Sequence, residues 1–193
     1  MSYRELYDFC QSLTPRIKRT QIVEKVCELT RRPRPKIIVD GINPAILRGY
    51  FIEAANLDHP FAKFAPANGA VIVVAREMSR CWRRFVTVKE VMHYFDEPLE
   101  HVSNADEFAT LIGEFVAPAM GKSEPMKAET RAFWMALALL CPERLRQEYE
   151  RKFVLGEIDP IAIAQELKIP LQYVPSLFDR RFKQNVQLLL SNC

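Results

Sequence analysis

One short apolar segment followed directly by an amphipathic segment constrains the fold of this chain more than any other stretch. Residues 70–75 read Ala-Val-Ile-Val-Val-Ala, a continuously apolar and largely β-branched run that is typical of a central strand. Residues 79–95 follow, with Ser79 as the predicted N-cap of a helix. Their apolar positions recur every three or four residues, the spacing of one helix with a buried stripe: Phe85, Val88, Met92 and Phe95. We expect the rest of the chain to be organised around this pair.

Two further strands are predicted before the apolar run, over residues 36–40 and 47–53. Gly49 in the second of them is a candidate bulge. Residues 56–69 are rich in Pro, Asn and Ala, which predicts a loop with His59 on the surface. Helices are predicted over residues 3–13, from Thr14 to 29, from Asn104, over 128–141 and over 142–152. The fold class is therefore α+β: a small mixed sheet of about three strands packed by helices, with a helical C-terminal part.

The composition is that of a soluble globular protein. The chain has 193 residues, 49% hydrophobic and 26% charged, and its net charge of +3 is too small to indicate nucleic acid by itself. Its five cysteines are odd in number and lack C-x-x-C spacing, which argues for a reducing compartment and against a disulfide framework or zinc knuckle. The longest apolar run, 133–141, is too short to span a bilayer, and the N-terminus lacks a signal-peptide core. A cytoplasmic location is expected.

The predicted helix contains a pentapeptide that is close to a metal-binding motif: residues 89–93 read Lys-Glu-Val-Met-His. Zinc peptidases carry His-Glu-x-x-His, in which two imidazoles one turn apart bind the metal and the glutamate acts as general base. Four of the five positions are compatible here, whereas lysine occupies the first ligand position. The pentapeptide alone favours an ordinary helix in which Glu90 and His93 are incidental. His101 lies two residues beyond the third histidine of the extended motif and is not included.

A second informative stretch begins at Glu129 and continues as an apolar segment to Pro142. Taken alone, it predicts a core helix with one glutamate near its start. Together with the strand-then-helix order before it, it resembles the ImmA/IrrE family of metallopeptidase-like proteins, whose later helix has the form E-x-x-A-x-x-F-A-x-x-L-L-x-P. Met135 stands where phenylalanine is usual. The positions that match are Ala132, Ala136, Leu139, Leu140 and Pro142.

The resemblance spans roughly residues 3–178, and within this span the stretches 47–51, 69–74 and 84–85 also fit the family. It implies a zincin-like active helix in a zinc endopeptidase that cleaves helix-turn-helix repressors of mobile elements or stress regulons. In the family, the glutamate that opens the later helix is the third zinc ligand. The resemblance assigns that role to Glu129 here.

The chain departs from the family pattern at a position that zinc catalysis needs, the first metal ligand. Zinc catalysis needs three protein ligands and a bound water, and His93 and Glu129 supply only two ligands. Keeping Lys89 neutral at pH 7 would cost roughly 4–5 kcal/mol, because its ordinary pKa is about 10.4. Its ammonium group is therefore expected in the position of zinc, paired with Glu129 and Glu90, with zinc bound weakly or not at all. Glu90, the catalytic base of the pattern, then has no metal-bound water to activate.

Three functional hypotheses follow. The first is a catalytically degenerate, inactive protein that binds a protein partner, such as a helix-turn-helix repressor of a phage, mobile element or stress regulon. The second is an active zinc endopeptidase that cleaves such a repressor, with the metal bound by His93, Glu129 and a further group. The third is a DNA-binding regulator that uses residues 159–178, whose apolar spacing is that of a helix-turn-helix.

Three features of this last segment disfavour DNA binding. Lys168 replaces the usual turn glycine, Pro175 would kink the second helix, and Gln172 and Tyr173 offer no arginine to a guanine edge. The resembled family also carries a similar helix pair within its own domain. We therefore expect residues 1–156 to form the metallopeptidase-like domain and 157–193 a helix pair and tail packed on it.

Overall fold

The computed structural model describes residues 3–13, 17–97, 100–102, 105–116 and 123–191. It confirms the predicted α+β class, a small mixed sheet of three strands packed by helices. The strands are β1 (Lys36–Asp40), β2 (Gly49–Glu53) and β3 (Ala70–Ala75). The helices are α1 (Tyr3–Ser12), α2 (Arg19–Thr30), α3 (Arg80–Val91), α4 (Ala105–Val116), α5 (Glu124–Leu140), α6 (Glu143–Val154), α7 (Pro160–Leu167), α8 (Val174–Phe178) and α9 (Arg180–Ser191). Short 3₁₀ turns cover Ala62–Phe64, Met92–Phe95 and Leu171–Tyr173.

The apolar run of residues 70–75 forms the central strand of the sheet, as predicted. β1 pairs with it in parallel, with Ile37 opposite Ile72. β2 pairs with its other edge in antiparallel fashion, with Phe51 opposite the same residue. All residues of β3 are buried, because both of its edges are paired and both of its faces are covered.

The two faces of β3 contact different cores, which explains its unbroken apolar sequence. Successive side chains of a strand point to opposite faces. Ile72 and Val74 belong to the main core with the helices, whereas Val71 and Val73 belong to a smaller cluster with Ala62. The loop predicted over residues 56–69 therefore covers one face of the sheet, and the helices cover the other.

Gly49 is not a bulge, because the pairing of β2 with β3 is regular from Gly49 onwards. It is instead a point of close approach between β2 and α3. A Cβ atom here would lie 2.4 Å from Cγ1 of Val86 and 2.7 Å from the carbonyl oxygen of Val73. Only glycine fits such a contact without displacement of its neighbours. This approach brings β2 against the helix that carries residues 89 and 90.

The predicted helix over residues 79–95 is present but changes its winding near the end. Ser79 caps it as predicted, since its hydroxyl oxygen accepts a hydrogen bond from the N–H group of Trp82 at 3.3 Å. The α-helix ends at Val91 and continues as the 3₁₀ turn Met92–Phe95. The residues of the zinc-like pentapeptide therefore span the junction of two helical windings.

Other helix boundaries differ from the prediction by a few residues. α2 begins at Arg19; the start predicted at Thr14 lies outside the described residues, as does the cap of α4 predicted at Asn104. α5 begins before the predicted residue 128, because Ser123 caps it by accepting a hydrogen bond from the N–H group of Met126 at 3.2 Å. That extension puts Glu129 within the second turn of the helix rather than at its start.

The C-terminal helices share the main core with α3 and α5. Arg84 of α3 donates a hydrogen bond to the carbonyl oxygen of Leu167 at 2.8 Å. Arg146 of α6 donates one to the carbonyl oxygen of Leu177 at 3.3 Å. The buried apolar residues contributed after residue 156 are Ile163, Ala164, Leu167, Ile169, Val174, Leu177, Phe182 and Val186.

The described cysteines are all free thiols. Cys10 and Cys141 are buried in the main core, and burial raises the pKa of each thiol to about 12. Cys27 and Cys81 are partly exposed. Among the described helices, none combines the length and the apolar character needed to cross a membrane.

Candidate functional site

The structure brings together the four residues that sequence reasoning assigned to one site: Lys89, Glu90, His93 and Glu129. We call them the site cluster. The first two lie in the last turn of α3, the third lies in the 3₁₀ turn that follows, and Glu129 lies on α5. Nζ of Lys89 contacts Oε2 of Glu129 and lies 2.9 Å from Oε1 of Glu90. Nε2 of His93 lies 3.3 Å from Oε1 of Glu129. Both carboxylates therefore contact the ammonium group.

The change from α-helix to 3₁₀ turn aligns a further carboxylate with the cluster. Side chains three residues apart eclipse in a 3₁₀ turn. Glu90, His93 and Asp96 have this spacing: Nε2 of the histidine lies 3.6 Å from Oε2 of Glu90, and its Nδ1 lies 2.5 Å from Oδ2 of Asp96. The Asp96 contact fixes the imidazole ring, so that Nε2 faces the two glutamates.

Asp96 is itself held by an arginine on α5. Nη2 of Arg131 donates hydrogen bonds of 2.6 Å to Oδ1 of Asp96 and to Oε2 of Glu100. Nη1 donates a third, also of 2.6 Å, to Oε1 of Glu100. Sequence reasoning missed these three residues. The signal for Asp96 was its three-residue distance from His93, and no local pattern marked the other two.

Neighbouring carboxylates keep two cations in the site cluster at neutral pH, although burial opposes their charge. Burial opposes a charged imidazole, but the hydrogen bond to Asp96 and the negative charge of Glu129, whose Oε1 lies 3.3 Å from Nε2, outweigh it and raise the pKa of His93 to about 10. Burial also opposes the charged form of Lys89, but attraction by Glu129 and then Glu90 outweighs it, so the pKa of the ammonium group is raised as well. The cluster therefore carries its own positive charge.

The two glutamates respond to the same surroundings in opposite ways. Burial would raise the pKa of Glu129, but Lys89 and His93 outweigh it and lower that pKa. For Glu90 burial is the stronger influence, and its pKa is raised in spite of Lys89. Glu129 is stabilised as an anion by both Lys89 and His93, whereas the negative charge of Glu129 adds to the effect of burial on Glu90.

Two buried polar atoms of the site cluster lack a hydrogen-bond partner among the described residues: Oε2 of Glu90 and Nε2 of His93. With a carboxylate oxygen of Glu129 they form a group of possible metal ligands that lie within 4.8 Å of one another. The donor types suit zinc. The ammonium group of Lys89 does not, because it contacts both carboxylates and would repel a second cation beside it. The residues present therefore do not fit a zinc ion while Lys89 is charged.

Two members of the site cluster line a cavity of about 700 Å³ beside β2. His93 and Glu129 form part of its wall, together with His59 and His101, so the cavity gathers all three histidines of the chain. The ring of Phe51 packs against two of these histidines, with its centroid 5.6 Å from that of His93 and 5.8 Å from that of His101. Sequence reasoning put His59 on the surface and set His101 aside, whereas both face the same space as the cluster.

No protein-family model matches the chain, and no curated protein and no solved structure matches it either.

Proposed function

We propose that the protein is a metallopeptidase-like protein of ImmA/IrrE type that has lost zinc catalysis and binds a protein partner through the cavity beside its site cluster. One observation carries the proposal: the ammonium group of Lys89 contacts both Glu90 and Glu129. A cation that belongs to the chain thus neutralises the buried carboxylates, so a metal is not needed for charge balance. Glu90 bonds to this ammonium group, and a site without zinc would offer it no metal-activated water to deprotonate.

The proposed partner is a polypeptide, such as a helix-turn-helix repressor or regulator of a phage, mobile element or stress regulon, and the proposed location is the cytoplasm. The cavity of about 700 Å³ has more apolar than polar lining and could bury side chains of such a partner. The free thiols support a reducing compartment.

A second candidate function is an active zinc endopeptidase that cleaves such a repressor. It is favoured by the unpaired atoms of Glu90 and His93, which with Glu129 could supply three ligands. In that case Glu90 would act as a ligand rather than as the general base. Lys89 would also have to move or lose its proton, at the cost given above.

A DNA-binding function for residues 159–178 has less support. α8 is only five residues long, and its Val174 and Leu177 are buried. Tyr173 packs its ring against Phe85 of α3, with centroids 4.6 Å apart. These contacts favour a packing role for the segment, since a recognition helix needs exposed side chains that reach base edges.

Measuring bound zinc after dialysis separates the first two functions. We expect the wild-type protein to retain far less than one equivalent, because Lys89 competes with the metal. Lys89→His replaces that cation by an imidazole one helical turn from His93, opposite Glu129. The variant should retain about one equivalent, and its affinity should fall as the pH is lowered, because zinc binds only neutral imidazoles and must displace the proton that Asp96 and Glu129 hold on His93.

The matched control is Lys89→His combined with Glu129→Ala, which should retain no stoichiometric zinc. Stoichiometric zinc in the wild type would overturn the proposed function and support the peptidase. If Lys89→His binds no zinc, residues 89, 93 and 129 do not converge as ligands, and the resemblance to the family fails at this site.

A further inference from the structure

A second cavity, of about 710 Å³, lies where the first turn of α2, the middle of α3 and the end of α7 meet. Four cationic side chains line it: Lys18, Arg19, Arg84 and Lys168. Sequence reasoning predicted no small-molecule site in this region.

Among the residues that the structure describes, these four cations lack an acidic partner. None has a carboxylate side-chain oxygen within 4.0 Å among the described residues, which include every Asp and Glu of the chain. Two carboxylates also line the cavity, but each is engaged elsewhere. Glu148 pairs with Lys152 at 2.7 Å, and Glu166 accepts a hydrogen bond of 2.7 Å from the hydroxyl group of Tyr149. The cavity therefore has an excess of positive charge.

Of the four cations, Arg84 has the greatest need of a bound anion. Its guanidinium donates hydrogen bonds to three neutral carbonyl oxygens, those of Ile17 at 2.7 Å, Leu167 at 2.8 Å and Lys168 at 3.3 Å. A guanidinium has five N–H donors, so at least two remain for another acceptor. Burial lowers the pKa of Arg84 to about 10, and the charge of Arg19 adds to that effect. A desolvated cation without a counter-charge is unfavourable, and a bound anion would relieve it.

The remainder of the wall is apolar. Ile17, Leu140, Leu145 and Leu167 face the same space as the cations. An inorganic anion would leave this surface without a contact, whereas an anion with an apolar substituent would cover both kinds of wall. The volume lies within the range of small-molecule sites, which is roughly 300–1,000 Å³.

We propose that this cavity binds an organic phosphate monoester, with the phosphate held by Arg84, Arg19 and Lys168 and the apolar substituent packed against the leucine side chains. Phosphate suits the site better than carboxylate because its three oxygens can accept from several cations at once. The start of α2 also lines the cavity, and the helix dipole there favours an anion.

The test is titration of phenyl phosphate, inorganic phosphate and phenol into the full chain at constant ionic strength, followed by calorimetry. Phenyl phosphate should bind saturably at one site, inorganic phosphate should bind more weakly, and phenol should not bind. Arg19→Gln combined with Lys168→Asn should weaken phenyl phosphate binding at least about tenfold, because charge-assisted hydrogen bonds are lost. Asn suits position 168, whose φ of 53° lies in the left-handed region.

The matched control is Arg180→Gln with Lys183→Gln, which removes two exposed cations of α9 outside the cavity. This variant should keep the wild-type affinity, and both double variants should keep the wild-type melting temperature without ligand. Equal losses in the two double variants would mean nonspecific attraction by net charge and overturn the proposal. No saturable binding, or equal affinities for phenyl phosphate and inorganic phosphate, would overturn it too. Lys89→His should bind phenyl phosphate as the wild type does, so this result is independent of the zinc measurement.

Discussion

The protein buries charge in two places that are built in different ways. Arg146 bonds mainly within its own helix: Nε lies 2.7 Å from Oε2 of Glu143, and Nη1 lies 3.1 Å from Oε2 of Glu150. Nη1 also reaches the carbonyl oxygen of Leu177. The site cluster instead joins residues of α3 and the turn after it to Glu129 of α5, which is too distant in sequence for helical spacing to pair them. The first arrangement follows from helical spacing, whereas the second exists only in the folded chain.

The two places also differ in how fully their polar atoms are satisfied. Glu143 and Glu150 are 34% and 36% exposed, so water can complete their hydrogen bonding. Glu90 is 1% exposed and keeps an oxygen without a partner among the described residues, facing the unpaired Nε2 of His93. Such a group costs about 1–3 kcal/mol when buried. A cluster that served stability alone would gain by avoiding that cost. Unused bonding capacity, rather than buried charge, therefore marks the candidate site.

Removing the C-terminal helices should have the largest effect on stability. It deletes Leu177 from the surroundings of Arg146 but removes no residue of the site cluster. We expect a chain truncated after Gly156 to be insoluble or to melt far below the full chain. The helices lost contribute several large buried side chains, each worth about 1.5–3 kcal/mol, against a total stability of about 5–15 kcal/mol. Solubility and thermal unfolding of the fragment measure this. A stable 1–156 fragment would make 157–193 an independent module and reopen the DNA-binding hypothesis.

Removing one cation from each place tests the comparison directly. Lys89→Met leaves Glu90 and Glu129 without their ammonium partner and should lower the free energy of unfolding by about 3–5 kcal/mol. Combining it with Glu129→Leu should cost less than the sum of the single changes, because the stranded charge is removed as well. Urea unfolding of the wild type and the three variants gives the four values. Strictly additive effects would show that the two side chains are not paired.

Arg146→Met is the matched control. It too replaces a buried cation by an apolar side chain, but the carboxylates that it leaves behind can be hydrated. We expect a smaller loss of about 1.5–3 kcal/mol, the range of a hydrogen bond to a charged group. A loss equal to that of Lys89→Met would remove the distinction between the two places.

The smallest expected effect is a pH dependence that belongs to the site cluster alone. The pKa of His93 rises from an ordinary 6.5 to about 10 on folding, so the folded state holds its proton more tightly than the unfolded state. The stabilisation is therefore complete below about pH 6.5 and is lost as the pH rises towards about 10. The stability difference between the wild type and His93→Gln should shrink over that interval by more than about 1 kcal/mol. Urea unfolding at several pH values measures it.

The internal control for this prediction is His59, whose pKa is lowered by burial. In an NMR titration its imidazole should take up a proton only below pH 6.5, whereas that of His93 should keep its proton to well above neutrality. An imidazole of His93 that titrates close to 6.5 would contradict the contacts described for it.

The elements that could be predicted from sequence are those whose signal is local. The run of residues 70–75 predicts a central strand because both of its faces are apolar, and the structure agrees. The cap at Ser79 and the apolar spacing after it predict α3 for the same reason. Lys89 and His93, four residues apart, were expected on one face, and both contact Glu129.

The features that escaped prediction depend on residues distant in sequence. Gly49 suggests a bulge when read locally, but its role is to let β2 approach α3. Arg131 on α5 holds Asp96 by a hydrogen bond, and no sequence pattern near either residue predicts this contact. Nor does the sequence indicate that Arg84 has no acidic partner in the described part of the fold, because that depends on where each carboxylate lies.

The two buried cysteines have a consequence for measuring how the molecule opens. The thiolate is the reactive form of cysteine, and at pH 7 a pKa of about 12 for Cys10 and Cys141 leaves roughly one thiol in 100,000 ionised. Neither group can then react with an alkylating reagent at an appreciable rate until a fluctuation exposes it to water. Cys10 lies on α1 and Cys141 follows α5, so the two are separated widely in sequence but share one core. Their rates of alkylation would therefore report how often each part of the core opens. Equal rates mean that the core opens as a unit, and unequal rates mean that one end of it opens first.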